Sequence, residues 1–194
     1  MAVSVLGSIT SHDVTGGATS PVTKSHTVTS GTTALLIAYL TRVTSSNAAP
    51  TFGAVWNTSE AANQVHSNYD GTALFEDVVQ WAGIVPNPTV GTFNVVLSQS
   101  NVMRGGELLI INLRGVDLTT PLGAISFQRQ ATASAATIGP LSITPQTAGG
   151  LILARLAISL DTTLSTFTGS GGFTQISNGK FSNNDGLTLT SRYK

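Results

Sequence analysis

Leu108-Leu109-Ile110-Ile111-Asn112-Leu113-Arg114-Gly115-Val116-Asp117-Leu118-Thr119-Thr120-Pro121-Leu122-Gly123 is the stretch whose reading decides the fold. Its first part is a short apolar run, bounded by turn residues and too brief for a helix of ordinary length, which is the pattern of a buried strand. Gly115, Asp117 and Pro121 then punctuate the chain. An aspartate at a turn makes an Asx-type bond from its side chain to the backbone a residue or two on, and this explains Asp117, two residues after Gly115, without a metal. A further strand is expected from Gly123 to Phe127, which makes the stretch a strand, a tight acidic turn and a strand.

The same grammar runs in both directions. A weakly alternating strand is expected at Val3 to Ile9, followed by a loop rich in Gly, Ser and Thr that contains Pro21. His26 to Gly31 reads as a short strand and turn, and Ala34 to Val43 as a strand buried on both faces. Pro50 to Trp56 starts another. Leu74 to Ala82 places Phe75, Val79 and Trp81 on one face, and Pro86-Asn87-Pro88 ends it in a rigid turn. Thr92 to Leu97, Glu107 to Leu113, Thr137 to Ile143, Leu151 to Leu160, Phe173 to Ile176 and Leu187 to Tyr193 bring the total to about a dozen strands. No segment sustains helical spacing with caps. The fold class expected is therefore all-β, an antiparallel two-sheet β-sandwich of jelly-roll type. Residues 1–22 are assigned to an N-terminal strand or arm and residues 23–194 to a single sandwich domain. A weak internal echo relates Leu35-Leu36-Ile37-Ala38 to Leu151-Ile152-Leu153-Ala154 at an offset of about 115 residues.

Composition narrows the function classes. Charged residues make up 9% of the 194 residues and hydrophobic ones 41%, against about 25% charged in ordinary soluble domains. Surface polarity must then come from neutral hydroxyls, amides and glycine, and the abundance of threonine and valine favours strand. Nine basic and nine acidic side chains cancel, which offers no electrostatic handle for nucleic acid or an anionic membrane. Such low charge gives little repulsion between copies and favours an assembled protein. The chain has no cysteine, and hence neither disulfides nor thiolate chemistry. Met1 to Ser8 lacks the basic and apolar regions of a secretory signal, so synthesis in the cytoplasm is expected. No apolar run approaches the roughly 18 residues of a membrane span.

The chemical inventory is thin. His12, His26 and His66 have no acid or second histidine at ligand spacing and are expected to be surface or edge residues. There is no G-x-S-x-G elbow. Glu76 and Asp77 are adjacent on a strand and point to opposite faces, which argues against a catalytic carboxylate pair. Asp161, Asn183, Asn184 and Asp185 lack the order of a calcium loop and are expected in turns. Catalytic residues, cofactor and metal are accordingly expected to be none. Trp56 and Tyr69 flank a polar stretch, Asn57 to Asn68, and are the candidates for an exposed aromatic binding surface. Trp81 is assigned to the core.

The turn motif resembles a family. An apolar strand running into Gly115-Val116-Asp117, then Thr119-Thr120-Pro121 and a small apolar start, is similar to a β-sandwich domain that recurs in phage virion proteins and in large bacterial surface proteins. The likeness extends from about His26 to Tyr193. It includes the strand Leu35 to Tyr39, the Phe52-Gly53-Ala54 turn, the aromatic strand Leu74 to Trp81, Pro86 to Thr92, and the closing Gly172-Phe173-Thr174 and Leu187 to Tyr193. Leu113 stands where the family has an aromatic, and Arg114 departs from its pattern. The resemblance implies a non-enzymatic virion protein decorating a capsid, located in the virion. Its partner would be the major capsid protein or another virion protein, with self-association open. The alternative it implies is a carbohydrate- or receptor-binding module of a tail fibre or surface protein, with a glycan as partner.

Overall fold

A computed structural model of the chain describes residues 2–15, 21–43, 49–70, 77–100, 103–125, 149–159, 174–180 and 187–193. Every regular element among them is a strand: β1 (Ser4–Thr15), β2 (Val22–Val28), β3 (Ala34–Val43), β4 (Phe52–Trp56), β5 (Glu60–Ala61), β6 (Asn63–Asp70), β7 (Asp77–Pro86), β8 (Gly91–Gln99), β9 (Met103–Arg114), β10 (Leu153–Ser159), β11 (Thr174–Lys180) and β12 (Leu187–Tyr193). They form a five-stranded sheet ordered β1-β9-β3-β7-β6, a four-stranded sheet ordered β2-β8-β4-β5 and a three-stranded sheet ordered β10-β12-β11. All the pairings are antiparallel.

The two larger sheets face each other as a β-sandwich, and strand period explains which residues fill it. Leu35, Ile37 and Tyr39 of β3, Trp81 and Val85 of β7, and Leu108 and Ile110 of β9 share one core with Val22 and Val28 of β2, Ala54 and Trp56 of β4, and Val95 and Leu97 of β8. The alternate residues of the five-stranded sheet point the other way. Ala34, Ile84, Ile111 and Leu113 make a second cluster there, which Val5 and Ile9 of β1 and Leu151 and Leu153 at the start of β10 help to cover. Because β3 and β9 are buried on both faces, their sequences read as continuous apolar runs instead of alternating ones.

The N-terminal strand or arm expected over residues 1–22 contains β1, which extends past Ile9 to Thr15 and lies along β9 as an edge strand of the main sheet, interrupted between Leu6 and Thr10, where Gly7 has φ +62°. β2 begins at Val22. Residues 123–125 of the strand expected at Gly123 to Phe127 are irregular and exposed. The polar stretch Asn57 to Asn68 contains two strands, β5 and most of β6, with a turn at 57–59 in which Asn57 and Thr58 have positive φ. The two echoing segments also part company, since β3 is central in the five-stranded sheet whereas β10 belongs to the three-stranded one. Thr137 to Ile143, Glu76, Asp161, Asn183, Asn184 and Asp185 lie outside the described residues.

Candidate interaction surface

One end of the sandwich collects the connections that carry exposed apolar side chains. Ala34, the first residue of β3, pairs with both Pro86 at the end of β7 and Leu113 near the end of β9, so the chain leaving β7 and the chain leaving β9 emerge side by side. Thr33 ties them together. Its N–H donates to the Leu113 carbonyl at 2.8 Å, its carbonyl accepts from Asn87 N–H at 2.9 Å, and its hydroxyl accepts from Gly115 N–H at 3.2 Å. Gly115 has φ +79°, a conformation that costs glycine little and other residues more.

The connections that leave there carry Val90 (55% exposed), Leu118 (39%), Leu122 (40%) and Ile125 (52%), the large exposed apolar side chains among the described residues. Val90 is in the β7–β8 turn, and the other three follow β9. Scattered exposed apolar residues are ordinary, whereas several of them on two connections that leave the sheet side by side make a candidate contact surface. The Asp117 turn holds the loop in shape. Asp117 Oδ1 accepts from the N–H groups of Thr119 at 2.9 Å and Thr120 at 3.4 Å, and Oδ2 accepts from the Thr120 hydroxyl at 2.9 Å. These donors, Thr119 N–H first, hold the carboxyl below the usual aspartate range. Pro121 is half-buried between Thr120 and Leu122.

The two aromatic candidates separate. Trp56 is fully buried, where its Nε1–H donates to the Thr89 carbonyl at 3.1 Å and its ring meets Phe93 and His26 edge-on, with centroids 5.5 and 6.2 Å away. It is a core residue bracing the β7–β8 turn, and the expectation of an exposed ring is corrected. The reason is its place on β4, where residues two apart share a face: Ala54 and Trp56 both point into the sandwich. Tyr69 is half-buried on β6, paired with Val79, so Trp56 and Tyr69 form no joint platform. Trp81 is buried and donates to Gln64 Oε1 at 3.0 Å.

Two buried polar clusters escaped sequence reading. His26 is 3% exposed, not a surface histidine. Its Nδ1 lies 2.7 Å from Thr10 Oγ1 and its Nε2 lies 3.1 Å from Asn112 Oδ1, while Asn112 Nδ2 donates to the Thr27 carbonyl at 2.9 Å. With the amide oriented by Thr27, His26 Nε2–H donates to Asn112, and Nδ1 accepts from the Thr10 hydroxyl. A neutral ring satisfies both bonds. Burial lowers the His26 pKa, against a smaller opposing effect of the Asn112 bond. On the opposite face of the five-stranded sheet, Glu107 of β9 accepts from the Ser11 hydroxyl at 2.9 Å and pairs with Arg155 of β10 at 3.3 Å. Arg155 Nη2 also donates to the Glu107 carbonyl at 2.7 Å. Both residues are nearly inaccessible. Burial pushes the guanidinium pKa down, and the Glu107 charge opposes that shift. These groups join sheets. Among the described residues no three His, Asp or Glu side chains are grouped to hold a metal.

What the geometry defines is an all-β sandwich with a polar, weakly charged body and one apolar loop end. Comparison with protein-family models, curated proteins and solved structures finds nothing that matches the chain.

Proposed function

We propose that the chain is a non-enzymatic structural protein of a bacteriophage virion, a decoration protein that seats on the outer capsid shell through its apolar loop end. The observation that carries this reading is that the two connections leaving β7 and β9 side by side carry the exposed apolar side chains Val90, Leu118, Leu122 and Ile125, in a chain with only 9% charged residues. Burying the remaining exposed surface of four such side chains against a partner supplies a driving force that sparse charges do not, at about 25 cal/mol per Å² of apolar area. The partner is the major capsid protein or another virion protein, and the working location is the virion. Net charge of zero gives nucleic acid and membranes no long-range attraction. The resemblance of the turn motif to phage virion sandwiches supports the same reading. The glycan-binding alternative loses its main support with Trp56 in the core.

The test is stoichiometry on purified particles of the encoding phage. Decoration requires the chain in a fixed, high ratio to the shell protein. A few copies per particle would place it on the tail, and complete absence would refute a virion role.

A further inference from the structure

We propose that the seam between β1 and β2 is an acid-sensitive latch: protonation of His12 and His26 releases residues 10–15 of β1 from the sandwich while the rest of the fold holds. The side chains of β1 alternate between two surroundings. Thr10, His12 and Val14 pair with Ile110, Leu108 and Gly106 of β9, and with Val14, Ile110 and Leu108 in the main core this face turns toward β2. Ser11 and Asp13 turn the other way, where the Ser11 hydroxyl donates to Glu107. At the seam Thr10 Oγ1 meets His26 Nδ1 of β2 at 2.7 Å, and half-buried His12 lies near enough to Lys24 of β2 to feel its charge. The seam thus holds two histidines and a lysine. Among the described residues β1, β2, β4, β8 and β9 turn no carboxylate toward it, and Tyr39 of β3, which shares the core, stays neutral in acid because burial raises its pKa.

Charging the seam is unfavourable, and opening it removes the penalty. His26 is buried, with Nε2–H donating to Asn112, Nδ1 accepting from the Thr10 hydroxyl and the ring edge-on to Trp56. A second proton makes that ring a cation in an apolar site without a counter-charge, and water reaching the opened seam is what relieves it. His12, once charged beside Lys24, adds a like-charge repulsion. β1 is the element that can yield. Among the described strands it has β9 as its one ladder partner, and that ladder is broken between Leu6 and Thr10, whereas β3 and β9 are flanked on both sides. Burial lowers the pKa of both histidines below 6.5. The opened seam therefore binds more protons than the closed one in that window, and opening grows as pH falls through it. Asp13 acts with the opposite sign. Burial and the Glu107 charge raise its pKa, so the closed strand holds that proton more tightly and opposes release at lower pH. The latch involves neither the loop end nor its partner and is independent of shell docking.

Hydrogen exchange of the whole chain, read on fragments at pH 7.5 and 5.5 and corrected for the intrinsic pH dependence of exchange, tests it. Residues 10–15 should lose protection in acid by about tenfold or more, since each histidine that titrates on opening contributes up to about tenfold per pH unit, while β3 and β8 keep theirs. Equal loss in every strand would mean global destabilisation, and unchanged protection of residues 10–15 would mean that the closed seam tolerates the acid; either result overturns the latch. His12→Gln and His26→Gln should each reduce the acid-induced loss in β1. His12 is half-buried, so its variant carries the comparison if His26→Gln does not fold, and a loss in folded His12→Gln as large as in the wild type would contradict the two-histidine seam.

Discussion

His26 Nε2 of β2 and Asn112 Oδ1 of β9 lie 3.1 Å apart, a side-chain bond that joins the four-stranded sheet to the five-stranded one through the core. Asn112→Ala removes the acceptor of His26 and the donor to the Thr27 carbonyl together. Leaving buried polar groups unpaired costs about 1–3 kcal/mol. Urea unfolding should therefore show a loss of about 2 kcal/mol at neutral pH, and a loss below about 0.5 kcal/mol would mean that water replaces the bond.

The histidines set the acid response. Burial lowers the pKa of His12, His26 and His66 below the ordinary 6.5. Between the folded values and 6.5 the unfolded chain binds more protons, so stability is full above about 6.5 and declines as pH falls through that window, until the folded-state groups titrate in turn. Thermal midpoints measured from pH 7.5 to 5 should fall, and His26→Gln should reduce the slope. An unchanged slope in that variant would assign the effect to the other two rings.

Glu107 and Arg155 form an ion pair buried between sheets. Removing one member of such a pair typically costs about 3–5 kcal/mol because a charge remains uncompensated, while replacing both with apolar residues is often neutral. Glu107→Leu and Arg155→Met should each destabilise strongly, and the double variant should recover most of the loss. A double variant as unstable as the sum of the singles would show that the pair itself is a net source of stability.

Trp56 tests the assignment of that ring to the core. Trp56→Phe keeps most of the packing and loses the bond to the Thr89 carbonyl, for a cost of about 1 kcal/mol. Trp56→Ala should cost about 3–5 kcal/mol. Chemical denaturation of both measures this, and a stability unaffected by alanine would contradict burial.

Much of the sandwich was legible because its central strands are extreme. Ala34 to Val43 is apolar on both faces, and the structure gives β3 the same bounds. β6 was hidden because an edge strand of Asn, Gln, Ser and His has too few apolar residues to show a period; its pairing with β7 is visible only in three dimensions. His26 and Glu107 look like surface residues in sequence. What buries them is long-range: Asn112 lies 86 residues from His26, and Arg155 lies 48 from Glu107. The Asp117 turn was readable since its bonds are local. Its apolar companions were not, because Leu122 and Ile125 suit a strand as well as an exposed loop, and only the missing ladder partner distinguishes them.

The central claim, that the apolar loop end docks on a protein shell, is tested most directly by particle binding of a folded loop variant. Purified wild type and Leu122→Asp/Ile125→Asp protein, matched by circular dichroism and thermal midpoint, are mixed with particles lacking the chain and sedimented. The wild type should pellet with the particles to saturation in a fixed ratio, and the variant should remain in the supernatant. Equal binding by the two proteins would contradict the claim and move the contact to another face of the sandwich.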